Sequence, residues 1–275
     1  MDIKLPSKTN VCLLKLFITG IFLIIFGFST VAQEQDSIVP IKNPEKVLRK
    51  MNIKSITRNG FNFWQDKFSG HWAGIDLGFN TFLNADYSNY ESKFMKNNVF
   101  RSNSLYINLI QQSFGLQRNR NTIGMVTGLG MNFQSYRLDQ NTTIERQSDG
   151  IIVPKMLYFN DNQRSKLSLI YITAPILAEF QIPINNYENR LYLSGGIFLG
   201  FRISSHTKII YRDVKKERLK TPDYFSIHDF KYGTMVRIGY RWINLFATYD
   251  LTNFFIKDLG PKLTPFSFGV TLLSF

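Results

Sequence analysis

Cysteine is nearly missing from this chain. Cys12 is the single one among 275 residues, and it precedes an apolar stretch near the amino end. Beyond residue 32 there is no disulfide, no thiolate metal site and no cysteine nucleophile to consider. Histidine is scarce too, at three residues: His71, His206 and His228. HExxH, the phosphate-binding P-loop, the dinucleotide fingerprint and the EF-hand loop are all absent. Together these gaps remove the common metal, nucleotide and thiol chemistries, and no cofactor or metal is expected.

What the chain does have is an export signal and many aromatics. Lys4, Lys8 and Lys15 precede the apolar run LFITGIFLIIFGF at 16–28, and Thr30-Val31-Ala32 supplies small residues for cleavage. The run is short for a transmembrane helix and no stop-transfer cluster follows it, so residues 1–32 are expected to be a removable signal peptide. The net charge of +13 falls to +11 once those three lysines and one aspartate are gone. After an export signal, a basic balance points to anionic lipid headgroups or an acidic partner, with no role for nucleic acid. Aromatics reach 15 %, with 25 Phe and 13 Tyr, as suits a barrel with interfacial girdles. The mean hydropathy of −0.12 is no objection, because barrel strands hide their lipid face in alternation.

The run RLYLSGGIFLGFRI at 190–203 shows that alternation. Leu191, Leu193, Ile197, Leu199, Phe201 and Ile203 share one face; Tyr192, Ser194, Gly196, Phe198, Gly200 and Arg202 share the other. Such a strand fits a wall between lipid and a crowded polar lumen. Seven further stretches read alike, at 71–82, 104–116, 122–134, 166–182, 228–241, 243–255 and 264–275. In the second, Ile110 and Gln112 fall on the face of Tyr106 and Asn108. In the third, Gly124, Gly128 and Gly130 share a face, which predicts a large side chain or another backbone close by. Pro175 in the fourth predicts a local bulge. Phe268, Val270 and Leu272 have the opposite parity to Phe275, so either the last residues bend or the terminal pattern is degenerate.

The connections alternate long and short. The fold class expected is therefore all-β: an eight-stranded antiparallel transmembrane β-barrel with short periplasmic turns and long outer loops over 70–275. A soluble lipocalin-type barrel would put its apolar face inside and would not carry charges opposite it on four or five strands. Residues 33–69 are expected to form a polar periplasmic leader, with a short basic helix capped by Asn43 and opened by Pro44. Residues 139–165 and 212–227 read as polar loops.

The chain resembles the PorT-like family of small bacterial outer-membrane β-barrel proteins. The likeness rests on GHWAGIDLGFN, on YITAPILAEFQ, and on the run from NLFATYDLTNFF to GPKLTPFSFGVTL. It implies an outer-membrane barrel and, for some members, a role in protein secretion. Insertion by the outer-membrane assembly machinery and a secretion or periplasmic protein partner are further expectations.

Asp76, Glu179, Arg202, Arg237 and Asp250 all fall on the lumen face and are expected to form a charge network, since they cannot face lipid. An eight-stranded barrel is just wide enough for side chains to fill it, so a structural or interaction platform is the leading reading. A lipid hydrolase or acyltransferase using His206 or His228 is the first alternative, and a small-solute pore is the second. Ser205-His206 and His228-Asp229 make poor catalytic pairs, because neighbours on a strand point to opposite faces. His71 has no evident partner and reads as interfacial. Lys215, Lys216, Arg218 and Lys220 form a basic loop that suits lipopolysaccharide phosphates.

Overall fold

A computed structural model describes residues 68–117, 122–139, 141–157, 164–184, 189–212 and 216–274. The expected signal peptide, the helix at Asn43 and most of the leader lie outside these residues. Among the described residues the strands are β1 (Gly74–Asp86), β2 (Asn103–Gly115), β3 (Ile123–Arg137), β4 (Thr142–Arg146), β5 (Ile152–Met156), β6 (Arg164–Ile184), β7 (Asn189–Arg212), β8 (Lys216–Pro222), β9 (Phe230–Tyr240), β10 (Ile243–Asp250) and β11 (Lys262–Ser274).

Eight of them close a ring in the order β1-β2-β3-β6-β7-β9-β10-β11, and β11 returns to β1. Every neighbouring pair is antiparallel. Closure satisfies each strand edge, which hydrocarbon requires because it offers no hydrogen bonds. The connections alternate as expected, the tightest being Arg241-Trp242 between β9 and β10. At the other end, β4 and β5 form a separate hairpin and β8 extends the sheet along the far end of β7.

Side-chain parity divides the wall. Leu193, Ile197, Val236, Ile238, Leu245 and Val270 point outward with 43–50 % of their surface exposed, whereas Ser194, Arg237, Thr248 and Ser267 point inward and are buried. A lysine in the middle of this outer face would be stranded in hydrocarbon. Val236→Lys is expected to destabilise the inserted barrel by roughly 2–4 kcal/mol, and Leu272→Lys, near a strand end, by about 1 kcal/mol or less. Urea titration in phospholipid vesicles measures both.

Three local expectations are corrected, and one open alternative is decided. A bulge at Leu109 shifts the register of β2, so Gln111 and Ser113, in place of Ile110 and Gln112, continue the inner face of Tyr106 and Asn108. No bulge forms at Pro175. Its strand keeps register with β7 there, and pairing with β3 lapses between Ile176 and Thr173, where a missing N–H costs nothing. The Pro175 carbonyl instead accepts the Thr127 hydroxyl at 2.7 Å. Residues 139–165 and 212–227 are not plain loops, since they hold β4, β5 and β8. Finally, a register shift leaves Leu272 without a partner between Thr271 and Leu273, so Leu273 turns outward beside Leu272. The last residues do bend out of the earlier alternation.

Candidate functional site

Among the described residues, buried side chains line the interior from the short-turn end to the long-loop end. At the short-turn end, the segment before β1 turns into the barrel. Phe68 and Trp72 are buried with Val126, Leu177, Phe198 and Met235. The backbone of this segment is fixed by strand side chains: Gln111 Oε1 accepts from the Trp72 and Ala73 amides at 2.7 and 2.8 Å, and Gln111 Nε2 donates to the Gly70 carbonyl at 2.9 Å. Gln181 Nε2 donates to the Ser69 carbonyl at 2.7 Å. The glycine face of β3 makes room for it. A Cβ on Gly124 would lie 2.3 Å from the Phe68 ring, and one on Gly128 would lie 2.5 Å from the Trp72 ring. This segment was expected to belong to the leader as far as residue 69, and its last residues are part of the barrel floor.

His71 is not an unpartnered interfacial residue. Its Nδ1 lies 2.7 Å from Glu179 Oε1, its amide donates to Glu179 Oε2 at 3.1 Å, and its ring stacks on Tyr192 at 4.3 Å. Gln181 bridges Glu179 and Arg190, at 2.6 Å to each.

The five expected lumen residues are all buried, but they form separate pairs, not one network. Only Asp76 and Arg237 meet each other, in a fork with bonds of 2.8 and 3.1 Å. Thr271 and Asn108 add hydrogen bonds to Asp76 at 2.7 and 2.9 Å. Asp250 pairs with Lys231 at 2.9 Å, and the Lys231 ammonium sits 4.4 Å from the Tyr171 ring centre. Arg202 pairs with Asp229 and donates to Ser205 Oγ at 2.6 Å and to the Ile227 carbonyl at 2.9 Å. Pairing with added hydrogen bonds offsets much of the cost of taking these charges out of water.

The partners that sequence reasoning missed are His71, Asp229 and Lys231. For Lys231 a signal existed. The two-residue turn at Arg241-Trp242 sets the register that puts Asp250 opposite Gly233, with Lys231 on the diagonal. Nothing local links His71 to Glu179, which lies 108 residues away.

At the long-loop end a second apolar cluster stoppers the barrel. Phe94, Met95, Ile144, Ile152, Phe225, Ile227, Phe254 and Phe255 come from the connections and meet Tyr136, Leu167 and Leu169 from the strands. Here the closing segment of one expected strand does other work: residues 251–255 leave the ladder so that Phe254 and Phe255 enter the cap. The loops also bind one another. Ile152 donates to the Leu259 carbonyl at 2.8 Å, and Ser226 to the Gly150 carbonyl at 2.6 Å. Burial in the cap pushes the Tyr87 phenol up to about 12. It also holds His228 below the usual imidazole range; Asp229 opposes this shift and Arg202 adds to it.

The hydrolase candidates do not assemble a triad here. Ser205 points inward, bonded to Arg202 and to the Asp223 carbonyl, while His206 lies on the other face of the strand and pairs across the sheet with Ser168 and Pro222. Asp229 is engaged by Arg202. Of the basic loop, Lys215 lies outside the described residues, as does the side chain of Lys216. Arg218 and Lys220 are exposed on β8, so this stretch is a strand of a hairpin, not a loop. Its alternating KERLKT pattern satisfies that geometry. Among the described residues no group of three or more His, Cys, Asp or Glu is placed to hold a metal ion.

A closed ring of eight strands, apolar outside and polar within, defines an integral β-barrel membrane protein. A family model described as outer membrane protein beta-barrel domain matches residues 63–256, and the chain belongs to that family. This places it among integral proteins of the Gram-negative outer membrane. No curated protein matches the chain.

Proposed function

We propose that this barrel is a non-enzymatic platform in the outer membrane, of PorT-like kind and attached to protein secretion. One observation carries the reading: both ends of the lumen are stoppered by packed aromatics, with four ion pairs between or beside them. A filled barrel of eight strands has no channel to offer. Its useful surfaces are then the outer cap and whatever the leader meets in the periplasm. The surroundings are outer-membrane lipid and lipopolysaccharide, and insertion is the task of the assembly machinery.

In planar bilayers the purified barrel is expected to give no discrete current steps. Gentle solubilisation is expected to recover the mature chain with secretion or periplasmic proteins that are lost when residues 33–67 are deleted. Regular current steps would overturn the reading in favour of a pore. Lipid hydrolysis that disappears in His206→Ala or His228→Ala would overturn it in favour of an enzyme.

A further inference from the structure

Near the long-loop end, four cations stand directly opposite one another across four neighbouring strands. Arg137 on β3 pairs in register with Lys166 on β6, Lys166 with Lys208 on β7, and Lys208 with Lys220 on β8. Two residues further along, Arg164 and Arg218 flank Ile210 in the next row. Side chains in such positions have Cβ atoms about 4.5–5.5 Å apart, and like charges there repel. Among the described residues none of these six cations forms an ion pair with a carboxylate. A row that opposes the folding of its own sheet calls for an anion from outside.

The row's position says which one. Lys166 and Lys208 share the outward parity of Ile170 and Ile172, the face that meets lipid, while Leu167, Leu169 and Ile209 of the intervening parity are buried inside. Lys166 is four residues beyond Ile170. At about 3.3 Å per residue on strands tilted 35–45°, that sets its backbone about 10 Å above the apolar belt, the depth of headgroups. Long basic side chains reach such a level while their stems stay on apolar surface. We infer that Arg137, Lys166, Lys208 and Lys220, with Arg164 and Arg218 beside them, form a binding site for the phosphates of an anionic lipid of the outer leaflet. The extended row suits a headgroup bearing two phosphates better than a single ion. The inference needs only the membrane-inserted barrel and is independent of the platform reading.

The probe is diphosphoryl lipid A in detergent micelles, with phosphatidylcholine and inorganic phosphate as the other arms, read by retained mass in native mass spectrometry and by thermal unfolding. The wild-type chain is expected to retain lipid A, not phosphatidylcholine, and to unfold at a higher temperature with it. The variant K166Q/K208Q/K220Q is expected to retain it about a hundredfold less, at roughly fivefold per cation, and to be more stable than wild type without lipid. A control of equal net charge, K93Q/K155Q/K257Q, is expected to behave as wild type. Should the triple variant not fold, K208Q/K220Q is expected to lose about twenty-five-fold. Equal retention in the variant and wild type would overturn the inference, as would an equal loss in the control. Full stabilisation by inorganic phosphate alone would overturn the assignment to lipid.

Discussion

Arg237→Met is expected to destabilise the barrel by about 3–5 kcal/mol, the largest effect of any single substitution in the lumen. Both partners of the Asp76–Arg237 pair expose only 1 % of their side chains, so removing the guanidinium leaves a carboxylate with no water to turn to. Asn108 and Thr271 remain as donors to it, but neither neutralises it. Asp76→Asn alone strands the arginine in the same way. The double variant Asp76→Asn/Arg237→Met, in contrast, carries no buried charge at this site and is expected to regain most of the lost stability, because the pair itself yields little net once its desolvation is counted. Equilibrium unfolding in urea, run in phospholipid vesicles, provides all four corners of the cycle. Single variants within 1 kcal/mol of wild type would mean that water reaches the pair, and with it that the lumen is wetter than its packing indicates.

That pair also marks what the sequence could reveal. Asp76 and Arg237 each sit opposite an apolar parity on their own strands, so their inward direction follows from alternation alone. That they meet follows only from ring closure, which brings β1 to within side-chain reach of β9 across the lumen although 161 residues separate them. The same limit hides Glu179 from His71. Bulges set a second limit. Leu109, Ile203 and Leu272 each insert one residue and flip the parity of the strand beyond it, and no local composition announces them as proline announces itself. Pro175 shows the converse: the residue that predicts a bulge sits where the ladder has already lapsed and needs none. The basic row fails for a different reason. A run such as KKERLK is visible along the chain, whereas Arg137, Lys166 and Lys208 are far apart and become one feature only through register.

Gly124→Ala is expected to expel Phe68 from the floor. The three atoms nearest to a Cβ at this position are all in the Phe68 ring, at 2.3–2.5 Å, and none is backbone, so the ring yields before the wall does. Its loss from the cluster with Val126 and Leu177 costs roughly 1.5–3 kcal/mol of burial. Phe68→Ala removes the same contacts and is expected to cost about as much, with a share for the cavity it leaves. Because either change destroys one and the same interaction, the double variant is expected to be no less stable than the singles, a coupling of about 2 kcal/mol. Gly195→Ala, where the nearest atom is a carbonyl oxygen at 4.0 Å, is expected to be close to neutral and controls for glycine content. A second readout separates a plug from mere packing. With Phe68 out, the segment held by Gln111 and Gln181 loses its hydrophobic anchor, so protease is expected to cut ahead of Trp72 in Gly124→Ala and in Phe68→Ala while sparing that site in wild type. Additive costs and unchanged cleavage would mean that Phe68 merely fills space; coupling with new cleavage would make it the hinge pin by which the barrel holds everything that precedes it.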